Sequence, residues 1–237
     1  MRKLLSIIFL IFNGAVFAET QHFYEFRSQM SITKEISDRW DLNVFVSENA
    51  NLSGRHQEGT SSFINAQNYL LIGPTYKYSP NLNLVLLGYI YQKTNPFFDS
   101  FAVENRMFQQ VVYSTDFGFG RVTHRVRFEE RFIDDKAPEQ EFMGTRLRYQ
   151  IGLTVPLQGD EVNDGEFYFN ANNEFYFSTS GYRNALYNEN WTYAGIGYQT
   201  AGRGRFEMGP LIQRVVVDKQ HDVRYFELMQ FSWSYNF

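Results

Sequence analysis

The feature that most constrains this chain is its last stretch, Val223 to Phe237. From Met229 every second residue is large and apolar: Met229, Phe231, Trp233, Tyr235 and Phe237. Gln230, Ser232, Ser234 and Asn236 stand between them. A period of two puts the two sets on opposite faces of an extended strand. Four aromatics on one face of a final strand have to be covered by protein or bathed in lipid. The second solution is a membrane barrel, whose strands alternate lipid-facing and lumen-facing residues.

Composition agrees. Aromatics make up 18% of the 237 residues, with 16 Tyr and 24 Phe, and the charged fraction is 20%. Mean hydropathy is −0.39. So many rings in a chain that is polar on average fit alternating faces that cancel. Past residue 18 no apolar run is long enough for a helical span of ~20 residues. A chain that crosses a membrane must then do so as a closed barrel, because lipid leaves an open strand edge unsatisfied.

The N-terminus has the layout of a secretory leader: Arg2 and Lys3, an apolar run Leu4 to Phe12, then Val16-Phe17-Ala18. This predicts a signal peptide over 1–18, cleavage between Ala18 and Glu19, and a barrel over 19–237. Without Arg2 and Lys3 the net charge moves from −4 to −6, which argues against nucleic acid as a partner. There are no cysteines, so disulfides, thiol chemistry and thiolate metal sites are excluded.

Alternation recurs along the chain and predicts strands near 22–32, 40–48, 62–78, 82–94, 101–115, 120–132, 142–156, 166–178, 190–200, 205–217 and 223–237. Polar stretches at 34–39, 79–81, 116–118, 158–165 and 202–204 read as short turns. Those at 49–61, 95–100, 133–141, 179–189 and 218–222 read as the opposite, extracellular set of loops. The expected fold is an all-β, transmembrane, antiparallel up-and-down barrel of 10–12 strands. Eleven segments are counted. Bacterial single-chain barrels have even numbers, so one assignment is expected to be off, with twelve favoured over ten.

The inward faces carry charge of both signs. Arg121, Arg125, Arg127, Glu129 and Arg131 share one strand face, Arg146 and Arg148 lie on the next strand, and Glu104, Arg106, Glu174 and Glu207 lie on others. Side chains of this length in a narrow lumen are expected to pair as Arg–carboxylate contacts. The bland reading is a self-satisfied filling. The functional one is an anion-attracting constriction or a site for an acidic headgroup.

Catalysis is not expected. His22 falls at the mature N-terminus, His56 and His221 in loops and His124 on the lipid face, none in a recognisable nucleophile–base pattern. No metal-ligand spacing appears, and no cofactor is implied.

The strands Arg127-Phe128-Glu129-Glu130-Arg131-Phe132 and Arg146-Leu147-Arg148-Tyr149 resemble an outer-membrane family of unknown function, DUF2490, as do Asn173-Glu174-Phe175, Gly195-Ile196-Gly197-Tyr198 and Glu207-Met208-Gly209. The resemblance implies a barrel of this size in a Gram-negative outer membrane and supplies no activity. The ending Phe231, Trp233, Tyr235, Phe237 also resembles the signal read by the barrel-assembly machinery. Expected partners are therefore outer-membrane lipid and that machinery. The leading expectation is a structural or narrow-passage barrel with a charged, largely filled lumen. A lipid- or small-solute-binding transporter using the inward arginines comes second, and a lipid hydrolase or deacylase third.

Overall fold

A computed structural model describes residues 20–52, 64–136, 139–181, 186–202, 204–216 and 222–237. The signal-peptide expectation and the loop histidines His56 and His221 lie outside them. The described residues form eleven strands in chain order: β1 (Thr20–Ser37), β2 (Trp40–Asn51), β3 (Ile64–Ser79), β4 (Leu82–Thr94), β5 (Ala102–Phe117), β6 (Gly120–Lys136), β7 (Glu139–Pro156), β8 (Phe167–Ser180), β9 (Tyr187–Gln199), β10 (Gly204–Val216) and β11 (Val223–Asn236). Each pairs with its chain neighbours, and β1 pairs with β11 to close the barrel.

The count of eleven therefore stands, and the expectation of twelve is corrected. Strands of a meander alternate in direction, so an odd number leaves the first and last pointing the same way. Closure then requires one parallel ladder. It runs in register from Thr20↔Val223 to Thr33↔Asn236. The dyad phases of the two strands agree: Phe26, Met30 and Ile32 sit beside Met229, Trp233 and Tyr235. At the end of the seam the last residue is clamped, with Phe237 N–H donating to Thr33 O and Glu35 N–H donating to Phe237 O, both at 2.9 Å. Lipid would leave an unpaired edge unsatisfied, so this ladder is what makes a barrel of odd count possible.

The two rims differ. At one rim the strands join through short connections: two residues between β1 and β2, between β3 and β4 and between β5 and β6. The first rim also holds the ten-residue β7–β8 connection; the other carries connections of six to twelve residues except the two between β6 and β7, and there several strands outrun their sequence-based ends. The expected loop 133–141 is mostly strand, since β6 continues to Lys136 and β7 begins at Glu139. Its charge suggested a loop, but Asp134↔Glu141 and Lys136↔Glu139 still pair in the ladder. Because β1 runs parallel to β11, it starts at this long-loop rim.

The outward face is broadly apolar, with Leu70, Leu86, Leu87, Phe132, Met143, Ile151, Ile196, Met208, Ile212 and Met229 all exposed. Leu86 and Leu87 are adjacent yet both exposed because β4 has one extra residue between Val85 and Gly88, a β-bulge. That bulge breaks the alternation that would have assigned the faces of 82–94. Polar groups in mid-strand on the outside satisfy one another: Asn173 donates to Thr192 Oγ1 at 2.6 Å, and Asn190 donates to Asn173 Oδ1 at 2.9 Å.

The seam can be tested with cysteine pairs in this cysteine-free chain. A short bifunctional thiol reagent should link Gln29→Cys to Ser232→Cys and, separately, Ser31→Cys to Ser234→Cys. Linkage of Gln29→Cys to Ser234→Cys together with Ser31→Cys to Ser232→Cys would mean antiparallel closure and an even count.

Candidate functional site

Period two puts i and i+2 side chains on one face, and strand register decides who sits opposite. In β5 to β8 both rules concentrate charge in the lumen. Arg106 faces Arg131 and Phe108 faces Glu129 across β5–β6. Glu129 faces Arg146 and Arg127 faces Arg148 across β6–β7. Like charges directly opposite one another are unfavourable, so carboxylates must intervene, and three do.

Glu104 accepts from Arg106 Nε at 2.7 Å and Nη2 at 2.8 Å, a bidentate pair, and is also held by Arg131. Glu129, with no exposed surface, accepts from Arg146 Nη2 and Arg148 Nη1, both at 2.7 Å. Glu174 accepts from Arg148 Nε and Nη2 at 2.9 Å, from Arg125 Nη2 at 2.8 Å and from the Tyr176 hydroxyl at 3.0 Å. Arg148 bridges the second and third carboxylates. Arg146 also reaches Glu189 at 3.3 Å. Buried charges endure when paired and hydrogen-bonded in this way.

The structure thus brings together all the sequence-predicted lumen charges except two. Arg121 is in the second pair after the β5–β6 turn; its side chain is 48% exposed and lies 3.6 Å from Asp116, at the short-turn rim. Glu207 faces inward but away from the belt, accepting from Asn170 Nδ2 at 2.9 Å.

Sequence reasoning missed the opposite wall. Arg27 on β1 donates from Nε to Asn49 Oδ1 at 2.7 Å, and Asn49 in turn donates to Glu25 Oε2 at 3.0 Å. With its amide carbonyl turned inward, Gln213 accepts from Arg27 Nη1 and Nη2 at 3.1 and 2.8 Å. The Arg27 guanidinium lies over the Trp191 ring at 4.8 Å. The alternation of 22–32 sets Arg27 on the face opposite Phe26 and Met30. What it meets on β9 and β10 depends on closure, which local pattern does not encode.

Two apolar clusters fill other parts of the lumen. Phe108 packs with Leu71, Val85 and Ile90, and Tyr193 packs with Leu211 and Leu228. Gly88 makes room for the first: a Cβ there would come within 2.2 Å of the Phe108 ring.

Space remains. A cavity of about 910 Å³ is bounded by Asn51, Thr94 and Arg224 toward the long-loop rim and by Thr33, Asp41 and Asn43 toward the short-turn rim. Arg27, Arg125, Arg127 and Arg148 border it between those ends. A second cavity of about 410 Å³ shares Thr33 and Asp41 and extends to Gln199, Arg205 and Phe237. The lumen is therefore divided, with an ion-paired wall on β5–β8 and open space against β1–β3.

The described histidines face outward. His22 bonds Glu227 at 2.8 Å and stacks on Tyr225, and His124 bonds the Tyr149 hydroxyl at 2.8 Å. The pairing of His22 with a carboxylate was not foreseen, and no serine completes it among the described residues. Nor, among those residues, is there a group of three His, Cys, Asp or Glu placed to hold a metal. On β11, Phe231 and Trp233 stack with Phe206 at 6.1 and 6.2 Å, and Tyr235 stacks with Phe237 at 6.0 Å.

Removing one partner of a buried ion pair costs ~3–5 kcal/mol. Glu129→Gln, which strips charge from between Arg146 and Arg148, should lower the temperature at which the detergent-solubilised barrel loses its compact electrophoretic form. Arg121→Gln should leave it within about 0.5 kcal/mol of the parent, as an exposed charge away from the belt. Equal effects would mean the belt does not hold the lumen together.

No curated protein and no solved structure is detectably similar to the chain. Residues 26–224 match the family described as protein of unknown function (DUF2490), a span that takes in every strand of the ion-paired wall but only Val223 and Arg224 of β11, and the chain belongs to that family.

Proposed function

We propose that this protein is an outer-membrane barrel that gives small solutes a narrow, anion-favouring passage. The single observation that carries the reading is the divided lumen. Space extends between the rims past the arginines of the waist, where a purely structural filling would close it. Seven guanidiniums (Arg27, Arg106, Arg125, Arg127, Arg131, Arg146, Arg148) share the waist with five carboxylates (Glu25, Glu104, Glu129, Glu174, Glu189). A surplus of fixed positive charge in a confined, low-dielectric channel draws anions and repels cations.

Membrane residence is supported by the exposed apolar exterior and the edge-free sheet. The long-loop rim faces outward from the cell in this reading, and the short-turn rim with Phe237 faces the periplasm. The leader over 1–18 would deliver the chain for export. The aromatics Phe231, Trp233, Tyr235 and Phe237 serve as the assembly signal. Since β1 covers the free edge of β11 in the finished barrel, the assembly machinery must read that strand before closure. A role as a lipid-modifying enzyme draws no support from His22 and His124, beside which no serine is hydrogen-bonded among the described residues.

Planar-bilayer recording tests the reading. Purified protein should give small, discrete conductance steps, and a salt gradient should shift the reversal potential toward that of the anion. A folded barrel that inserts without conducting, or that prefers cations, would overturn it.

A further inference from the structure

Not all the arginines of the waist are served alike. Arg125, Arg146 and Arg148 each donate to a carboxylate within 3.0 Å, and Arg106 and Arg131 both hold Glu104. Arg127 and Arg27 differ. Arg127 is 5% exposed, and its Nε and Nη2 both donate to the neutral Gln110 Oε1, at 2.8 and 2.6 Å. Its nearest carboxylate, Glu129, stands 3.7 Å away and is already shared by Arg146 and Arg148. Directly across the ladder from it is another cation, Arg148. Arg27, also 5% exposed, is held by the neutral amides of Asn49 and Gln213 and forms no ion pair among the described residues.

Burying a guanidinium against neutral acceptors is costly unless a counter-charge arrives. Both side chains border the same cavity. A stack of rings links their surroundings: Arg27 lies over Trp191, Trp191 contacts Tyr176 at 5.1 Å, and Arg148, which faces Arg127, lies over Tyr176 at 4.5 Å. Two more donors at the same cavity lack an acceptor among the described residues, Trp191 Nε1 and Arg125 Nε. Buried donors of this kind call for an acceptor that the protein does not supply.

We propose that Arg27 and Arg127, with Trp191 between the two walls, form a binding site in the lumen for a small organic oxyanion. The two guanidiniums sit on opposite walls and each keeps N–H groups free of the amides, which suits a molecule with negative oxygens at both ends. The amides Asn49, Gln110 and Gln213 hold the two forks in orientation. Stacking of Arg27 on Trp191 at 4.8 Å and of Arg127 on Phe108 at 4.6 Å fixes the planes of the two guanidiniums. The carboxylate and phosphate classes share this chemistry. The site deepens the passage reading, making the waist a place where an anion pauses, yet binding can be measured without conduction.

Calorimetric titration of the full-length mature barrel in detergent provides the test, with succinate and inorganic phosphate as anionic probes and succinamide as the neutral control. Saturable binding of succinate, of phosphate or of both is expected, and none of succinamide; the tighter anion identifies the class. Arg27→Gln and Arg127→Gln should each weaken binding about tenfold or more, the loss expected when a charge-assisted hydrogen bond is removed. Arg214→Gln, which deletes an outward arginine, should change nothing. Arg27→Lys and Arg127→Lys keep the charge while losing the fork, and serve where a glutamine variant fails to fold. Each should weaken binding by less than a glutamine does. Absence of binding by either anion, binding that survives both substitutions, or equal weakening by Arg214→Gln would overturn the proposal. Binding without conductance would instead leave this site standing and remove the passage.

Discussion

Three carboxylates buried in the lumen hold the structure's interior together. Glu104, Glu129 and Glu174 stand among arginines that register forces into opposition, Arg106 against Arg131 and Arg127 against Arg148. Without them the inner faces of β5, β6 and β7 would repel one another at every second rung. With them, Arg148 joins Glu129 to Glu174, and the wall becomes one network. A barrel of this circumference has to fill its interior somehow. Here ion pairs fill β5–β8, one apolar cluster stands on β3–β5 and another on β9–β11, and the remaining space runs along β1–β3.

Closure is the second constraint, and it depends on backbone alone. Eleven strands in a meander cannot close without one parallel ladder, and β1 and β11 supply it along nearly their whole length. The same ladder brings β1 against the last strand, so Arg27 meets residues from β9 and β10. The wall that carries the less fully compensated cation is thus a product of the odd count.

Much of this was legible in the chain. Period two marked out the strands and, 82–94 excepted, their faces, and the inward charge of β6 and β7 was visible as alternating arginines. The family resemblance carried by Arg127 to Phe132 and Arg146 to Tyr149 agrees with the family match. What was hidden is non-local. Parity of the barrel depends on whether first and last strands pair, which no window of sequence contains. The faces of 82–94 were obscured because the bulge at Leu86–Leu87 inserts a residue into the alternation. The stretch 133–141 looked like a loop because its charges mark solvent, and solvent is equally available to a ladder that projects beyond the apolar band. Arg121 joined the predicted network by phase alone, whereas its position one rung from a turn leaves it at the rim.

The lumen is divided, with space along β1–β3 and an ion-paired wall on β5–β8, and this division sets which positions a solute can reach. The division is tested most directly by the reactivity of single cysteines toward a small, membrane-impermeant anionic thiol reagent. Ser47→Cys, on the cavity wall of β2, should react rapidly in the folded barrel. Ser178→Cys, buried at 8% exposure on β8, should react only after unfolding. Comparable rates at the two positions, or protection of Ser47→Cys, would contradict the account.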